Sequence, residues 1–375
     1  MDQCEPVRDH LLKDSDDVVF FGVGGSSLGA RTLAQLTGHR TPGFAPPKGS
    51  PRFHFFDNLD GVSLAAAFES FDLARTRFLV ISKSGRTAET LSQLLVALAA
   101  FGAAGIKPKD HFAIVTEPTD NPLRRLAEAQ GFKILDHDPK IGGRFSVLSN
   151  VGLLPAMLMG LDVQAVRAGA GDVIRPILEG ARPVDTAPAV GAALSIGLMQ
   201  EKGLTSTVLM PYADRLDLFA LWYRQLWAES LGKGGAGTTP IPALGPIDQH
   251  SQVQLYLDGP RDKLFTLIMT EVAGGSLTID ANLAKDPDLS YLAGRTIGDL
   301  VDAEQRATAE TLIKNGRPTR IIHIKSVDER TMGALFMHFM LETIIAAHLL
   351  SIYAFDQPAA KEGKVLVRQF LSDMK

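Results

Sequence analysis

The chain has 375 residues, of which 45% are hydrophobic and 21% charged, a composition typical of a soluble globular protein with room for two domains. Its 42 acidic residues against 38 Lys plus Arg give a formal net charge of −4, which gives no general reason to expect a nucleic-acid partner. The only cysteine, Cys4, excludes an intramolecular disulfide and fits a reducing cytoplasm, where we expect the protein to reside.

Residues 1–160 alternate apolar strand-like runs with helical patterns, which predicts a parallel sheet covered by helices. The predicted strands are residues 17–23, 52–58, 77–82 and 111–117. The predicted helices are residues 27–38, a segment around residues 91–98 with leucines at i, i+3, i+4 and i+7, and residues 121–131. The last of these begins with a proline and ends with a glycine, as helices often do.

A proline-rich segment, residues 180–191, interrupts this pattern and is expected to join two lobes. Beyond it the alternation returns, with predicted strands at residues 206–212, 251–259, 262–271 and 319–327 and a helix at residues 216–232. The apolar stretch 336–355 has the length of a membrane span, but it carries His338, Glu342 and His348, which are costly in lipid, so a buried helix is predicted.

The predicted fold class is therefore α/β, with two parallel-sheet units in sequence and a helical C-terminal arm. We expect a first domain at residues 1–165, a second at 166–335 and the arm at 336–375. The repetition is one of architecture, because no short sequence repeat is detectable.

The loop "SKSGRTAET", residues 82–90, follows a predicted buried strand and opens a predicted helix. Ligands of parallel α/β sheets sit at this strand end, where helix N-termini favour anions. Ser82, Ser84 and Thr87 offer hydroxyl donors and Lys83 offers positive charge. The loop is therefore predicted to bind the phosphate group of a small molecule. Ordinary helix capping by Thr87 explains the same residues, and both interpretations stand on this motif alone.

A second loop, "GVGGSSLGA" at residues 22–30, also follows an apolar strand and opens a helix. A dinucleotide-binding G-x-G-x-x-G pattern starting at Gly22 would need glycine where Ser27 stands, and no G-K-S/T follows, so nicotinamide and P-loop nucleotide sites are disfavoured. Two hydroxyl-bearing loops at one sheet edge favour a sugar phosphate instead.

Four later stretches carry a resemblance to a known family: "GGRFSVLSNVG", "QLWAESLGK", "DQHSQVQL" and "DQPAAKEGK", at residues 142–152, 225–233, 248–255 and 356–364. Together with the two loops, they resemble the glucose-6-phosphate isomerase family in the same order, over about Val18 to Phe370. The resemblance implies two sugar isomerase domains with flavodoxin-like sheets, a C-terminal arm, a homodimer, and no metal or redox cofactor. It also implies a role in glycolysis and gluconeogenesis.

The resemblance further implies site residues. Glu229 matches the catalytic base, Arg144 the arginine that stabilises the enediolate, His250 a ring-opening histidine contributed by the neighbouring subunit, and Lys364 its partner in ring opening. The matching substrate- and phosphate-binding residues are Gly25, Ser26, Ser82, Lys83, Ser84, Thr87, Gln225 and Gln357. The implied reaction is the reversible isomerisation of glucose 6-phosphate and fructose 6-phosphate, in which a base moves a proton between C1 and C2.

Some features depart from that family. The usual long N-terminal segment is missing, so a short form is expected, and Asn150 stands where small residues are usual. Ala359, Ala360 and Lys361 replace a glycine, an apolar residue and a glutamate, so Lys361 competes with Lys364 for the ring-opening role. Two further functions stay open: an isomerase that also accepts mannose 6-phosphate, and a sugar-phosphate sensor without catalysis, although a sensor needs no base.

Overall fold

The computed structural model describes residues 2–44 and 48–374, apart from the side chains of Ala360 and Lys361. The strands in these residues are β1 (Asp17–Phe21), β2 (Arg52–Phe56), β3 (Thr76–Ile81), β4 (Phe112–Thr116), β5 (Lys133–Asp136), β6 (Ser206–Pro211), β7 (Thr239–Pro242), β8 (Lys263–Thr270) and β9 (Thr319–Ile324). The helices are α1 (Glu5–Leu12), α2 (Leu28–Ala34), α3 (Gly61–Ser70), α4 (Ala88–Ala103), α5 (Pro122–Gln130), α6 (Asn150–Leu158), α7 (Val163–Leu178), α8 (Ala187–Lys202), α9 (Asp217–Leu231), α10 (Ile247–Ser251), α11 (Val253–Asp258), α12 (Ile297–Lys314), α13 (Glu329–Leu349) and α14 (Lys361–Asp373).

The strands form two all-parallel sheets, which confirms the predicted α/β class. The first sheet has five strands in the order β2-β1-β3-β4-β5, and the second has four in the order β7-β6-β8-β9. In each sheet the first strand along the chain lies inside, with the second strand on one side of it and the third on the other. Successive strands are thus added first on one side of the starting strand and then on the other. Where the connections diverge in this way, a crevice opens at the carboxyl ends of the two inner strands, and ligands of such sheets bind there.

One apolar core lies between the two sheets and joins them. In β1, Val18 and Phe20 face this shared core, whereas the alternate residues of the strand face a separate cluster on the far side of the sheet. The second sheet contributes Leu209 and Ile268 to the same shared core. The period-2 alternation of side chains along each strand thus gives both sheets one face in common and one face of their own.

Helix α13 lies in that core and is, among the described residues, the helix long and apolar enough to cross a membrane. It packs against α7, α8 and α9, and 56% of its most apolar window is buried in the protein. Its Glu342 is fully buried and accepts hydrogen bonds from both Nη atoms of Arg320 at 2.9 Å, while His338 Nε2 lies 3.0 Å away. The predicted buried helix agrees with this packing, because the polar groups are paired inside the protein.

One prediction of secondary structure is wrong, and several elements were not predicted. Residues 251–259 were expected to form a strand but form the end of α10 and all of α11, because Val253, Tyr256 and Leu257 reach the second sheet with helical spacing while Leu255 is exposed. The proline-rich segment 180–191 contains a short turn and the start of α8, with its second proline in the first turn of that helix, and its role as a join between two lobes stays a prediction. The elements that were not predicted are the strands β5 and β7 and the helices α1, α3, α6, α7, α8, α10 and α12.

The expected domain limits fall inside helices. The limit after residue 165 lies within α7, and the limit after residue 335 lies within α13. The division into two domains and an arm therefore stays a prediction about sequence units, drawn across a core that both sheets share.

Candidate active site

Two loops meet at the carboxyl edge of the first sheet. One follows β1 and the other follows β3, and these strands are hydrogen-bonded neighbours with Phe21 opposite Val80. The loops approach closely, since a Cβ on Gly22 would lie 3.2 Å from the carbonyl oxygen of Ile81. The sequence placed both hydroxyl-bearing loops at one sheet edge, and the structure has them there.

The loop after β3 holds its hydroxyls in a tight turn. Ser82 is buried, and its Oγ donates to Thr87 Oγ1 at 3.1 Å, whereas Ser84 is exposed and accepts from the N–H of Arg86 at 3.3 Å. Gly85 has φ +60°, and a Cβ there would lie 1.8 Å from Asn121 Oδ1. Both the left-handed backbone and the close contact require glycine at this position.

Thr87 occupies the N-cap position of α4, but its side chain makes no capping hydrogen bond in the described structure. Its hydroxyl is used by Ser82 instead. The first-turn N–H groups of a helix have no intrahelical acceptor and attract anions. In the described structure the first-turn N–H groups of α4 thus receive no hydrogen bond from the Thr87 side chain, and the capping interpretation loses its main hydrogen bond.

The cations of this loop contact two neighbouring loops, the one before α5 and the one after β5. Lys83 Nζ donates to the carbonyl of Pro139 at 2.8 Å and lies 3.5 Å from Glu117. Arg86 Nη2 donates to the carbonyl of Asp120 at 3.1 Å. The described contacts thus use both charged groups within the protein, and the loop offers an anion chiefly hydroxyls and backbone N–H groups.

The loop after β1 packs against a distant segment that carries the predicted arginine. A Cβ on Gly25 would lie 2.2 Å from the carbonyl carbon of Gly143, so only glycine allows this backbone contact. Ser146 Oγ lies 3.2 Å from the carbonyl of Gly25 and 2.6 Å from that of Gly143, and so ties the two segments together. Ser26 lies beside Gly25 in the same short helical turn and is partly buried.

Arg144 is 2% exposed and uses all three guanidinium nitrogens. Nε donates to Ser230 Oγ at 2.7 Å, and Nη1 lies 3.4 Å from Glu229 Oε2. Nη2 donates to the carbonyl of Ala354 and, at 3.1 Å, to that of Asp356. Burial lowers the pKa of Arg144, and the carboxylates of Glu229 and Asp356 oppose this effect.

Glu229 lies in the last turn of α9 with each carboxylate oxygen beside a different donor. Oε2 faces Arg144, and Oε1 accepts from Gln225 Nε2 at 3.1 Å. The Glu229 side chain remains 35% exposed. The Oε1 atom of Gln225 is buried and has no partner among the described residues, and its amide nitrogen also approaches Gly24. An oriented, accessible carboxylate beside a free acceptor suits proton abstraction from a bound polyol.

His250 is not brought to this carboxylate within the chain. It is exposed on α10, which follows the carboxyl edge of β7, and its neighbour Gln249 accepts from Tyr212 at the carboxyl end of β6 at 3.0 Å. Glu229 lies at the other end of α9, where Trp227 bonds to Thr238 just before β7. The 15 residues of α9 span about 22 Å, which separates the two groups.

The C-terminal site residues are only partly brought to the others. Gln357 is exposed but follows Asp356 directly, and the carbonyl of Asp356 contacts Arg144. Lys364 is exposed on α14, and none of its described contacts reaches Glu229. The side chain of Lys361 lies outside the described residues. The choice between these two lysines stays a prediction.

Three supporting residues were missed by the sequence predictions. Ser230 anchors Arg144, Ser146 ties together the two glycine segments, and Asn121 packs on Gly85 while its Oδ1 caps α5 through the N–H of Arg124. Ser230 and Ser146 lie inside motifs that carried the resemblance, so their position was a signal, but their residue type indicated no particular partner.

Comparisons with known proteins agree on one family. The model of the family described as phosphoglucose isomerase matches residues 7–239. The chain is 38% identical over 352 residues to a glucose-6-phosphate isomerase of Rubrobacter xylanophilus, which covers 93% of this chain and 81% of the relative. It is 41% identical over 365 residues to a probable glucose-6-phosphate isomerase of Haloquadratum walsbyi, which covers 97% and 81%.

Two solved structures share the fold. A hypothetical protein of Thermus thermophilus superposes with a TM-score of 0.86 at 34% identity, covering 98% of this chain and 87% of its own. A glucose-6-phosphate isomerase of Chlamydia trachomatis superposes with a TM-score of 0.84 at 21% identity, covering 100% and 73%. At that identity the second similarity shows the fold alone.

Proposed function

This chain belongs to the phosphoglucose isomerase family and is an aldose–ketose isomerase of glucose 6-phosphate and fructose 6-phosphate, and we propose that Glu229 and Arg144 carry its proton transfer. The observation that supports this assignment is the contact between the two side chains beside the loop after β1. The family's place in glycolysis and gluconeogenesis is consistent with the reaction.

In the proposed mechanism, Glu229 removes the proton from C2 of the open-chain aldose and returns it to C1. Charge develops on the oxygens of the enediolate in between, and the guanidinium of Arg144 lies where it offsets that charge. Because Arg144 is held by Ser230 and by two backbone carbonyls, it needs no rearrangement when the charge appears. The chain's own residues supply both the base and the electrostatic stabilisation.

The phosphate is proposed to bind at the loop after β3. The N terminus of α4 and the hydroxyls of Ser82, Ser84 and Thr87 provide donors, and Gly85 keeps the loop tight against Asn121. The loop of Gly25 and Ser26 and the unpartnered oxygen of Gln225 lie beside the sugar in this arrangement. Gln357 is proposed to complete the sugar site from the C-terminal side.

Ring opening is proposed to need a second copy of the chain. His250 is exposed at the far end of α9 from Glu229, so one chain cannot place both at the same sugar. A symmetric dimer solves this problem if each subunit lends His250 to the site of its partner. Lys364 is proposed to assist from α14. The buried Cys4 is consistent with a cytoplasmic location.

A coupled assay tests the reaction. Purified protein is given fructose 6-phosphate, and glucose 6-phosphate is followed by the NADPH that a coupling dehydrogenase forms. We expect turnover well above the coupling blank, and its absence would contradict the proposal. A parallel reaction with mannose 6-phosphate measures the breadth of the substrate range. A non-catalytic sensor would bind fructose 6-phosphate without forming product.

A further inference from the structure

The segment between α13 and α14 is fastened to the candidate active site by two cations. We call residues 353–356 the C-terminal strap. Arg144 donates to two strap carbonyls, those of Ala354 and Asp356. Lys233 donates to a third, that of Tyr353, and its Nζ lies 2.7 Å from Oδ1 of Asp356. The strap is therefore held by side chains from two distant parts of the chain.

The two cations form two pairs with two carboxylates in the described structure. Arg144 lies beside Glu229, and Lys233 lies beside Asp356. The Lys233 side chain is 15% exposed and Asp356 is 53% exposed, so the ammonium lies beneath the carboxylate that faces solvent. The hydrogen bond from Lys233 is the main cause that lowers the pKa of Asp356. The carboxylate is therefore charged at neutral pH.

We propose that Lys233 is a positioning residue for the isomerase reaction, which holds the strap through Asp356 and so places Gln357 and the start of α14 at the sugar. The proposal rests on the proposed function, since the strap matters only if the site beside it is catalytic. Lys233 itself touches no reacting atom in this scheme. It acts through the strap.

The contact between Lys233 and the C-terminal strap lies close to both proposed catalytic residues, Glu229 and Arg144. Lys233 lies two residues after the end of α9, whose last turn carries Glu229. Nη2 of Arg144 donates hydrogen bonds to two strap carbonyls, those of Ala354 and Asp356. If the strap were displaced, Nη2 would lose these acceptors and the guanidinium could move toward others. A shift of about 1 Å in a positioned group can cost on the order of 100-fold in rate. In this proposal, Lys233 holds in place both the segment that leads into α14 and the guanidinium group of Arg144.

The charge of Lys233 has a second effect in the same direction. Asp356 lies close enough to Arg144 to influence its pKa. Without the ammonium, that carboxylate would be offset by Arg144 alone, and the site would be more negative toward an anionic substrate and an anionic enediolate. Loss of Lys233 should therefore slow the reaction through position and through charge.

The test compares Lys233→Met, Asp356→Asn and the double variant with the parent protein, using fructose 6-phosphate. Each single variant is expected to lose about 10- to 100-fold in kcat/KM. The double variant should be no worse than the poorer single variant, because both changes remove one shared contact. Lys233→Arg should retain more activity than Lys233→Met. The matched control is Lys314→Met, which removes a Lys–Glu310 ion pair of the same 2.7 Å length on α12.

A second readout separates positioning from general destabilisation. The defect in Lys233→Met should be larger for fructose 6-phosphate than for 5-deoxyfructose 6-phosphate, which lacks the hydroxyl that closes the furanose ring. A merely structural role would lower both rates equally and would shift the unfolding midpoint more than Lys314→Met does. If Lys233→Met fails to fold, Asp356→Asn removes the same contact from its exposed side.

Parental kcat/KM in Lys233→Met and Asp356→Asn, or fully additive losses in the double variant, would overturn the proposal. An equal loss with both sugars, together with an unfolding midpoint lowered more than in Lys314→Met, would overturn it as well. A parent protein with no isomerase activity would instead contradict the proposed function, so the two failures are distinguishable.

Discussion

The guanidinium Nη1 of Arg144 lies 3.4 Å from Oε2 of Glu229, although 85 residues separate them in sequence. The proposed base and the proposed stabilising cation thus lie in contact in the structure of the protein alone. Glu229 keeps its other oxygen on Gln225 and is partly exposed, whereas Arg144 is buried. In the proposed mechanism, the sugar reaches the carboxylate from its exposed side, which neither Arg144 nor Gln225 covers.

The first prediction concerns the base. Glu229→Gln keeps the shape but cannot accept a proton at neutral pH, so kcat should fall by about 10²- to 10⁴-fold while substrate binding survives. The direct measurement is exchange of the C2 hydrogen of glucose 6-phosphate with solvent deuterium. The control is Glu310→Gln, an exposed glutamate of α12. Exchange at the parental rate in Glu229→Gln would mean that another group is the base.

The second prediction concerns the shared site. Glu229→Gln and His250→Ala are each expected to be inactive, but mixed subunits should recover roughly a quarter of the parental activity, because each heterodimer contains one site with both groups intact. The control mixes Glu229→Gln with Arg144→Met. These two residues contact each other in one chain, so every mixed site stays defective. Recovery in the control, or none in the test mixture after proven subunit exchange, would contradict a site shared between subunits.

The third prediction concerns the phosphate loop. Ser82→Ala and Thr87→Val remove the paired hydroxyls and should raise KM for fructose 6-phosphate roughly 10- to 100-fold for each hydrogen bond lost to the phosphate. Steady-state kinetics measures the change. Ser92→Ala is the matched control, because this exposed hydroxyl on α4 bonds only to the carbonyl of Glu89. An unchanged KM in the loop variants would leave the hydroxyls with a structural role.

The fourth prediction concerns the glycine of that loop. Gly85→Ala should destabilise the protein by more than Gly105→Ala, although both glycines have positive φ, +60° and +70°. Both changes strain a left-handed backbone by about 1–2 kcal/mol, but only Gly85 would place its new Cβ against Asn121, while Gly105 has open space. Urea unfolding gives both values. If both variants lose the same free energy of unfolding, the Asn121 side chain moves away from the new Cβ without destabilising the protein, and the prediction is wrong.

The fifth prediction concerns acid stability. Burial lowers the pKa of His39 from 6.5 to about 4, and Arg31 and Arg40 act in the same direction. Between these two pH values the unfolded chain binds a proton that the folded chain does not, so folding stability falls as the pH falls from 6.5 to 4. His39→Gln should flatten this part of the curve. Urea midpoints across the range measure it, with exposed His323→Gln as the control. A slope unchanged by His39→Gln would contradict the prediction.

The sequence predicted the fold well where local signals agree with long-range packing. The strands β1 and β3 are continuous apolar runs, and α5 begins at Pro122 and ends before Gly131, which has φ +71°. The errors lie where such signals are short or ambiguous. Residues 253–257 alternate apolar and polar residues almost like a strand, and the tertiary contact of Tyr256 decides for a helix. The edge strand β7 contains two prolines, and because proline argues against a strand, β7 was not predicted.

The sequence predicted which residue types the candidate site contains, but not the contacts that hold their side chains in place. The motif order predicts roles for Arg144 and Glu229, which lie in contact in the structure, and the strand ends predict where the loops lie. The contacts that fix Arg144 are different in kind, because two of its acceptors are backbone carbonyls, at Ala354 and Asp356. A carbonyl exists at every residue, so no residue type could indicate these positions.

The C-terminal strap also sets the order in which a newly made chain becomes competent. Arg144 and its acceptor at Asp356 are 212 residues apart, which at typical synthesis rates of about 5–20 residues per second corresponds to roughly 10–40 s. Throughout that interval, both sheets can be translated while the guanidinium still lacks its last two acceptors. If Arg144 has the proposed role, we expect a nascent chain that stops short of the strap to turn over no sugar phosphate, even when both sheets have been translated.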